Sequence, residues 1–524
     1  MAIARVASRA QLGLAAPRVM VEVHLGGGLP TSNIVGLPAT AVKESRDRVR
    51  AAIATSGFEF PAGRITVNLS PADLPKEGCR YDLPIALGIL LASGHIEFAR
   101  DLLDSCEFYG ELGLAGELKP IKGVILAAAH AAREARTVVV PAANLAEAQL
   151  AAPDSAYGAA SLLDVCEKLG RRASLAASPR SMAHAPATEA PAERTLDLAD
   201  VRGQAQPKRA LLIAAAGAHS LLLVGPPGTG KTMLAQRLAG LLPCLDAGAA
   251  LDVASIASVS GRGFAPRDYG RRPFRAPHHS ASASAIIGGG PHARPGEVSL
   301  AHHGVLFLDE LPEFNRAVLE SLREPLESGV VAIARAKLQV EYPARFQLIA
   351  AMNPCPCGHL GDVSGRCRCA PPEITRYRSR ISGPLLDRID LRVEVPTLPS
   401  EELLGEAAAV DPASSSAAFA RRVRGARELQ QARGGKLNAE LSGKEIQEAC
   451  GLDHHCRRLL AQARMKLNLS ARGIHRVLRV ARTIADLGTA GSEGPAANKT
   501  RGPGNDSISP VHLAEALQLR RAIE

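Results

Sequence analysis

The run GPPGTGKT, from Gly225 to Thr232, decides how this chain is interpreted. An apolar, strand-like run, Leu221–Val224, precedes it, and a helix-like run, Met233–Leu242, follows it. A glycine-rich loop between a strand and a helix is the context in which a chain wraps phosphates, because glycines let backbone N–H groups approach closely. The positive end of the following helix also favours the anion. The sequence therefore predicts a nucleoside-triphosphate site.

Within this loop we expect Lys231 to reach the β- and γ-phosphates and Thr232 to ligate Mg²⁺. The alternative is a chance glycine–proline turn, which does not require a strand before it and a helix after it. ATP and Mg²⁺ are thus the expected cofactors. The predicted nucleotide-binding residues are Gly225, Pro226, Pro227, Gly228, Thr229, Gly230, Lys231 and Thr232.

A second run, VLFLDEL at Val305–Leu311, is typical of a buried strand that ends in two carboxylates. We expect Asp309 to hold Mg²⁺ through water and Glu310 to orient the water that attacks the nucleotide. The alternative is that both acids cap the following helix. Two adjacent acids at the end of an apolar strand need a cation or donors nearby, so the pattern favours catalysis.

Two more polar residues follow apolar segments. The strand-like run Phe346–Met352 ends in Asn353, whose amide can sense the γ-phosphate or can simply form a turn. In SGPLLDRIDLRVEV, Arg388 lies between two aspartates and is either an ordinary salt-bridge partner or an arginine finger for a neighbouring subunit's nucleotide. Such a finger contributes about 10³–10⁵ in rate. It would require a ring or filament.

A cluster of cysteines follows Asn353 in the run CPCGHLGDVSGRCRC. Four thiols so close in sequence suit tetrahedral Zn²⁺. The C-x-C spacing departs from the commoner C-x₂-C, so reduced free thiols are the alternative. The candidate zinc ligands are Cys355, Cys357, Cys367 and Cys369, with His359 as a spare.

Composition limits the partners. The net charge of +10 favours a polyanion, while an aromatic content of 3% and the absence of tryptophan favour phosphate contact over base stacking. The amino terminus is a poor signal peptide, and the apolar runs are too short to span a bilayer. We therefore expect a soluble cytoplasmic protein with no membrane partner. Its ten cysteines are expected to be reduced or metal-bound.

The run GVVAIARAKLQVEY, Gly329–Tyr342, is typical of two strands joined at Ala336–Lys337. This hairpin is similar to one that lines the central pore in helicases, and that resemblance makes Arg335 and Lys337 the candidates to bind DNA phosphates, with a merely solvated tip as the alternative. A second set of candidates lies farther back in the chain. It comprises Arg272, Arg275, His278 and His279.

The order of these motifs, followed by SARGIHRVLRVARTIADL at Ser470–Leu487, resembles the helix-2-insert branch of AAA+ ATPases, which includes magnesium chelatase subunits and MCM helicases. The run RPFRAPHHSASASAIIGGG resembles the chelatase-type insert. Nearly the whole chain resembles the bacterial YifB/ComM family. The resemblance implies hexameric rings and, from the ComM members, a DNA helicase that promotes branch migration during natural transformation. It also implies that Arg472, or else Arg476, is the second sensor arginine.

The amino-terminal run LPKEGCRYDLPIALGILLASG resembles the Lon protease domain, a ribosomal-S5-like α/β fold. Arg80 stands where that family has its serine nucleophile, and Ile125 stands near the place of its lysine. A Ser–Lys dyad needs both groups within hydrogen-bond reach. We therefore expect the fold without proteolysis, with Cys79 as an alternative nucleophile and Lys122 inside the turn.

The predicted fold class is α/β in two modules with a helical end. The predicted parts are a Lon-protease-like domain (1–170), a flexible linker (171–195), a P-loop AAA+ core with a helix-2 insert (196–399) and a carboxy-terminal helical lid (400–524). The predicted function is an ATP-dependent hexameric DNA motor that binds branched or single-stranded DNA. The alternatives are an ATP-dependent protease and a chelatase-like or protein-remodelling ATPase.

Overall fold

The computed structural model describes residues 2–170, 196–261, 263–290, 293–335, 338–362, 365–399, 414–467, 469–491 and 507–520. The expected linker at 171–195 lies outside these residues, as does Lys337. Among the described residues, no helix has both the length and the apolar content to cross a bilayer.

The amino-terminal module begins with a four-stranded sheet. Its strands are β1 (Ala2–Arg9), β2 (Arg18–Gly26), β3 (Thr31–Val35) and β4 (Arg64–Ser70), in the order β1-β2-β4-β3. The pair β3–β4 is parallel, and the other two pairs are antiparallel. Alternation in β2 buries Val19, Val21 and Val23. They pack against α3 (Asp82–Ala92), a helix that is apolar apart from Asp82. The other helices of this part are α1 (Thr40–Lys43), α2 (Ser45–Thr55) and α4 (Arg100–Ser105).

A second, three-stranded parallel sheet completes this module. It consists of β5 (Cys106–Phe108), β8 (Thr137–Pro141) and β9 (Ala156–Ala159). A short antiparallel pair, β6 (Glu111–Leu112) with β7 (Leu118–Lys119), lies beside it. The module's remaining helices are α5 (Val124–Arg133), α6 (Leu145–Ala151) and α7 (Leu162–Gly170).

The second module is built on a five-stranded parallel sheet. Its strands are β10 (Leu221–Val224), β11 (Phe274–Arg275), β14 (Val305–Leu308), β17 (Gln347–Met352) and β18 (Leu391–Glu394), in the order β11-β14-β17-β10-β18. Every residue of β10, β14 and β17 is buried, as expected for a parallel sheet covered on both faces. The carboxyl ends of these three neighbouring strands therefore meet at one edge, where the polar residues that follow them come together.

Short elements surround this sheet. The helices are α8 (Ala205–Gly217), α9 (Lys231–Leu241), α10 (Ala247–Val259), α11 (Ala283–Ile287), α12 (Glu297–Leu300), α13 (Arg316–Ser321), α14 (Arg323–Ser328), α15 (Pro371–Arg378) and α16 (Gly383–Leu386). Two antiparallel pairs accompany them: β12 (Gly288–Gly289) with β13 (Arg294–Pro295), and β15 (Val330–Arg335) with β16 (Leu338–Pro343).

The carboxy-terminal region is helical. It contains α17 (Ser416–Gly434), α18 (Gly443–Cys450), α19 (His454–Lys466), α20 (Ala471–Gly491) and α21 (Pro510–Gln518). Its apolar faces share one core with α8, α9 and the central sheet. Helix α20 continues through Gly488 to Gly491. Buried Ile484 and Leu487 anchor that last part of the helix. The mixed α/β fold with a helical end is confirmed.

The two modules are joined by polar contacts at the turn before α5. Lys122 Nζ donates to the carbonyl of Gly261 at 3.0 Å, and the N–H of Gly123 donates to Ser258 Oγ at 3.1 Å. Ser258 in turn donates to Glu147 Oε1 at 2.5 Å. The amino-terminal module is thus tied to the carboxyl end of α10.

Candidate active site

Lys231 is the most enclosed polar side chain of the glycine-rich loop. Its Nζ donates to the carbonyls of Gly225 and Pro226, both at 2.7 Å, and to Asn353 Oδ1 at 3.2 Å. The side chain is 8% exposed. Burial lowers the pKa of Lys231, and the negative charges of Asp309 and Glu310 oppose that shift. The amine therefore joins the loop to the strand end that carries Asn353.

The loop geometry depends on two glycines. Gly228 and Gly230 have φ values of 78° and 90°, in the left-handed region that favours glycine. A Cβ atom at either position would meet nothing within 4 Å, so the backbone faces open space there. The helix α9 begins directly after Gly230. Backbone amides and a helix amino terminus face the same opening, which is the arrangement that binds phosphates.

Thr232 and Asp309 meet across the edge of the sheet. Thr232 Oγ1 donates to Asp309 Oδ2 at 2.7 Å. Hydroxyl and carboxylate oxygens are the ligands that Mg²⁺ prefers. The donor set therefore fits Mg²⁺ on the chemistry of these two groups.

Glu310 has a separate position from Asp309. It adopts a φ of 53°, which is unusual for a residue with a side chain, and its N–H donates to Asp309 Oδ1 at 3.0 Å. Its side chain is 53% exposed and lies 3.3 Å from Nδ1 of His279. The backbone turn thus directs one carboxylate toward Thr232 and leaves the other carboxylate available to a water molecule.

The cysteine cluster lies directly behind the glycine-rich loop. A Cβ atom on Gly358 would approach Pro227 Cδ to 2.8 Å and Asn353 Cγ to 3.8 Å. The cluster's loop therefore packs against the loop that holds Lys231, and this position tolerates only glycine without a shift.

The four cysteine sulfurs of this cluster lie within 4.8 Å of one another. The Sγ atoms of Cys355 and Cys357 are 3.4 Å apart, and those of Cys355 and Cys367 are 3.8 Å apart. A tetrahedron with Zn–S bonds of about 2.3 Å has S···S edges of roughly 3.8 Å. The spacing therefore fits zinc despite the C-x-C pattern. A backbone hydrogen bond at His359 and the Cys355 thiol lower the pKa of Cys357 to about 6, which favours a thiolate.

Arg388 lies at the opposite edge of the same sheet. Its Nη1 donates to the Pro384 carbonyl at 2.7 Å, and its Nη2 lies 2.5 Å from Glu327 Oε1. The side chain is 8% exposed. Arg388 comes before β18, whereas the glycine-rich loop comes after β10, and a four-residue strand spans about 13 Å. The structure therefore does not bring Arg388 to Lys231 within one protomer.

Arg472 and Arg476 lie beside Arg388. Arg472 is exposed, with Nη1 3.5 Å from Glu327 Oε1. Arg476 donates to Asp390 Oδ1 at 2.6 Å and to the Arg388 carbonyl at 2.8 Å. Burial alone would raise the pKa of Asp390, but the hydrogen bond with His219 and the charge of Arg476 hold it well below its usual range. Arg476 is thus held by Asp390, whereas the exposed Arg472 makes the longer contact with Glu327.

These arginines line a cavity of about 860 Å³. Its walls include residues that precede the strands of the sheet, among them Ser220, Gly304 and Phe346. Seven arginines and three carboxylates face it. The cavity is therefore a basic surface at the end of the sheet opposite the glycine-rich loop.

The predicted hairpin is present as β15 and β16. Its inward residues Val331, Ile333 and Val340 are buried. Tyr342 Oη donates to the Ala293 carbonyl at 3.0 Å, so the hairpin packs against the insert. The structure describes the backbone of Arg335 but not its side chain, and Lys337 lies outside the described residues.

The other basic candidates for DNA contact, Arg272, Arg275, His278 and His279, differ in the contacts they make within the chain. Arg272 donates to the carbonyls of Pro243 and His303, both at 2.6 Å, and Arg275 pairs with Glu297 at 2.6 Å. Both guanidinium groups thus have hydrogen-bond or ion-pair partners within the chain. His278 and His279 lie side by side, with ring centroids 4.1 Å apart.

In the amino-terminal module, two residues at the protease-like positions, Arg80 and Lys122, form hydrogen bonds within the structure. Arg80 Nη2 donates to Gln11 Oε1 at 2.7 Å and to the Lys122 carbonyl at 3.0 Å. The Lys122 amine is bound to Gly261. Burial raises the pKa of the Cys79 thiol to about 11, which disfavours the nucleophilic thiolate. These groups hold the module together and do not form a hydrolytic pair.

Sequence reasoning did not identify Glu327 or Gly358. Glu327 lies in LESLREPLES, an ordinary mixture of charged and apolar residues, and its partners are far away in sequence. Gly358 could have been suspected, because a glycine inside a cysteine-rich loop suggests a tight turn, and its φ is 83°.

Comparison with known proteins gives matches over most of the chain. Family models match three regions: "Magnesium chelatase, subunit ChlI" over 197–403, "Subunit ChlI of Mg-chelatase" over 21–144, and "Magnesium chelatase, subunit ChlI C-terminal" over 413–499. The chain is 47% identical over 523 residues to competence protein ComM of Haemophilus influenzae, covering 100% of this chain and 98% of that protein. It is 48% identical over 521 residues to uncharacterized protein YifB of Salmonella typhimurium, covering 99% and 97%.

A more distant match is the magnesium-chelatase 38 kDa subunit of Cereibacter sphaeroides. It is 28% identical over 169 residues, which is 29% of this chain and 51% of that subunit. The similarity to this chelatase subunit is therefore partial, whereas the similarity to the ComM and YifB proteins extends over both modules.

Proposed function

The chain belongs to the YifB/ComM family of magnesium-chelatase-like AAA+ proteins, and from that membership we propose that it is an ATP- and Mg²⁺-dependent motor that acts on DNA as a hexameric ring. The family implies nucleotide and Mg²⁺ use. The finer proposal is that hydrolysis drives branch migration of joined DNA strands.

The observation that carries the ATPase part is the convergence of Lys231, Thr232, Asp309 and Asn353 at one edge of the sheet. Lys231 is placed to bind the β- and γ-phosphates, with the phosphate oxygens replacing the loop carbonyls as its partners. Thr232 and Asp309 would hold Mg²⁺, which supplies charge neutralisation on the phosphates when bound. Glu310 accepts a hydrogen bond from the attacking water, and Asn353 contacts the γ-phosphate.

The position of Arg388 supports a role at a neighbouring subunit's nucleotide. It lies at the sheet edge away from its own glycine-rich loop, beside Arg472 and the cavity. A guanidinium supplied in this way stabilises the charge that develops on the transferred phosphoryl group. We therefore assign Arg388 and Arg472 to the nucleotide bound by the adjacent subunit, with Arg476 as their local support.

DNA is the proposed partner because of the net charge of +10 and the position of the hairpin. The hairpin packs on the insert through Tyr342 and Ala293, and the following strand, β17, leads directly to Asn353. A force between the hairpin and DNA bound by Arg335 and Lys337 would therefore be transmitted along β17 to the nucleotide site. The relative from Haemophilus influenzae is named a competence protein, which agrees with a role in DNA uptake or recombination.

Zinc is the proposed second metal, held by Cys355, Cys357, Cys367 and Cys369. The sulfur spacing supports this assignment. Because the cysteine loop packs against Pro227 through Gly358, zinc would stiffen the wall of the nucleotide site. A catalytic role is not proposed, because four thiolate ligands would close the coordination sphere.

The test is the ATPase rate with and without forked DNA, with Lys231→Ala as the matched inactive control. We expect DNA to raise the rate of the wild-type protein and to leave the variant inactive. Hydrolysis that is indifferent to DNA over a range of salt concentrations would contradict the motor and favour a protein-remodelling or chelatase-like ATPase.

A further inference from the structure

Two guanidinium groups meet at one oxygen atom in the basic cavity. Arg388 Nη2 lies 2.5 Å from Glu327 Oε1, and Arg472 Nη1 lies 3.5 Å from the same atom. The two arginines come from different elements, one before β18 and the other at the start of α20. Arginines that converge on a single anionic oxygen have the arrangement that binds a phosphate oxygen. The carboxylate oxygen of Glu327 therefore marks a place that suits phosphate.

The two sides of this contact differ in how firmly they are held. Arg388 is 8% exposed and is fixed by the Pro384 carbonyl, and its Nε has no hydrogen-bond partner among the described residues. A buried guanidinium of this kind requires an anion. Glu327 is 47% exposed and lies near the end of the short helix α14. Glu327 can therefore leave when another anion takes its place, whereas Arg388 stays in place.

The charges around Glu327 show that the contact is electrostatically favourable. The hydrogen bond from Arg388 lowers the pKa of Glu327, and the charges of Arg472 and Arg476 lower it further. The neighbouring carboxylate Asp390 is already held by Arg476 and by Ser220. Among the described residues that line the cavity, Glu327 is thus the carboxylate that pairs with both Arg388 and Arg472.

We propose that Glu327 occupies, in a separate protomer, the place that the terminal phosphate of a neighbouring copy's nucleotide takes when two copies assemble. Glu327 then competes with that phosphate for Arg388 and Arg472. The inference rests on the proposed action of Arg388 across subunits. It identifies a contact that weakens assembly until the partner subunit has bound a nucleoside triphosphate.

The test compares Glu327→Gln with Glu324→Gln, which removes the same charge from an exposed position of the same helix that does not line the cavity. With Mg²⁺ and a slowly hydrolysed ATP analogue, we expect Glu327→Gln to assemble at a protein concentration about two- to fivefold lower than the wild type, as fits loss of one partly exposed ion pair. Light scattering or mass photometry gives this concentration. The KM for ATP should fall similarly with kcat unchanged, and Glu324→Gln should match the wild type.

Three results would overturn the inference. An unchanged assembly concentration would show that Glu327 does not compete. A fall in kcat as large as that of Arg388→Ala would show that Glu327 holds the arginine in its working position instead. Wild-type hydrolysis by Arg388→Ala would remove the proposed action across subunits, and the inference with it.

Discussion

Glu310 shows how one backbone angle separates two adjacent carboxylates. Its φ of 53° turns its side chain away from Asp309, which bonds to Thr232. The two adjacent carboxylates can then have different roles, because Asp309 lies beside the proposed Mg²⁺ position and Glu310 is exposed to water. The strained backbone is retained at this point of the chain, as is common at functional sites.

We predict that Glu310→Gln binds ATP normally but hydrolyses it about 10²–10⁴-fold more slowly, because an amide is a poor acceptor for the proton of the attacking water. Binding of a fluorescent ATP analogue and the steady-state release of phosphate would measure the two effects separately. Lys231→Ala is the contrasting control, because it should lose binding itself. Normal turnover in Glu310→Gln would remove this residue from the mechanism.

The residues of the nucleotide site could be predicted because each follows a buried strand in a short, distinctive run. Parallel strands then bring Gly225, Asp309 and Asn353 to one edge without further information. The meeting of Arg388, Arg472 and Glu327 could not be predicted, since it depends on how the helical end packs on the sheet. A sequence shows which charges exist, but contacts between residues more than sixty positions apart, such as Arg388 and Arg472 with Glu327, depend on the whole fold.

At the scale of elements, the cysteine loop and the glycine-rich loop pack against each other. The strand β17 ends at Met352, Asn353 follows, and the cysteine loop then returns to Pro227. A change in the cysteine cluster would therefore alter the backbone of the glycine-rich loop. This coupling was outside the reach of sequence analysis, which identified both runs but gave no reason for them to touch.

We predict that the purified protein carries about one zinc ion per chain and that the double variant Cys357→Ser, Cys369→Ser loses it, because two thiolates cannot complete the tetrahedron. Elemental analysis measures the zinc, and the melting temperature with and without a chelator measures its contribution. Cys244→Ser, at an exposed cysteine outside the cluster, is the control and should keep the metal. A metal-free protein whose melting temperature does not change when the chelator is added would favour reduced free thiols over a zinc site.

Element boundaries were less predictable than element types. The strands β2 and β4 follow the alternation that the sequence shows, because one face is buried. Helix α20 extends past Gly488, since packing of Ile484 and Leu487 outweighs the low helix propensity of glycine. Tertiary contacts thus decided the end of this helix.

At the scale of the whole molecule, the two ends of the central sheet carry different halves of the proposed active site. The glycine-rich loop, Asp309 and Asn353 lie at the carboxyl edge, whereas Arg388 and Arg472 lie at the amino edge. Copies arranged head to tail would bring one edge to the other. The amino-terminal module is fixed to this body through Lys122 and Gly123, so it would move with each subunit.

We predict that Arg388→Ala binds ATP but hydrolyses it about 10³–10⁵-fold more slowly. Mixed with Lys231→Ala, it should regain part of the wild-type rate, since each variant supplies the group that the other lacks at a shared interface. The ATPase rate of mixtures at several ratios measures this recovery. A mixture no more active than its components would show that Arg388 does not act across subunits.

The most direct test of the central claim is the conversion of a synthetic four-way DNA junction with homologous arms into separated duplexes. The products can be resolved on a native gel at fixed protein, Mg²⁺ and salt. The proposed motor predicts conversion by the wild-type protein with ATP, and none with a slowly hydrolysed analogue or with Lys231→Ala. Active hydrolysis of ATP that leaves the junction intact would contradict it.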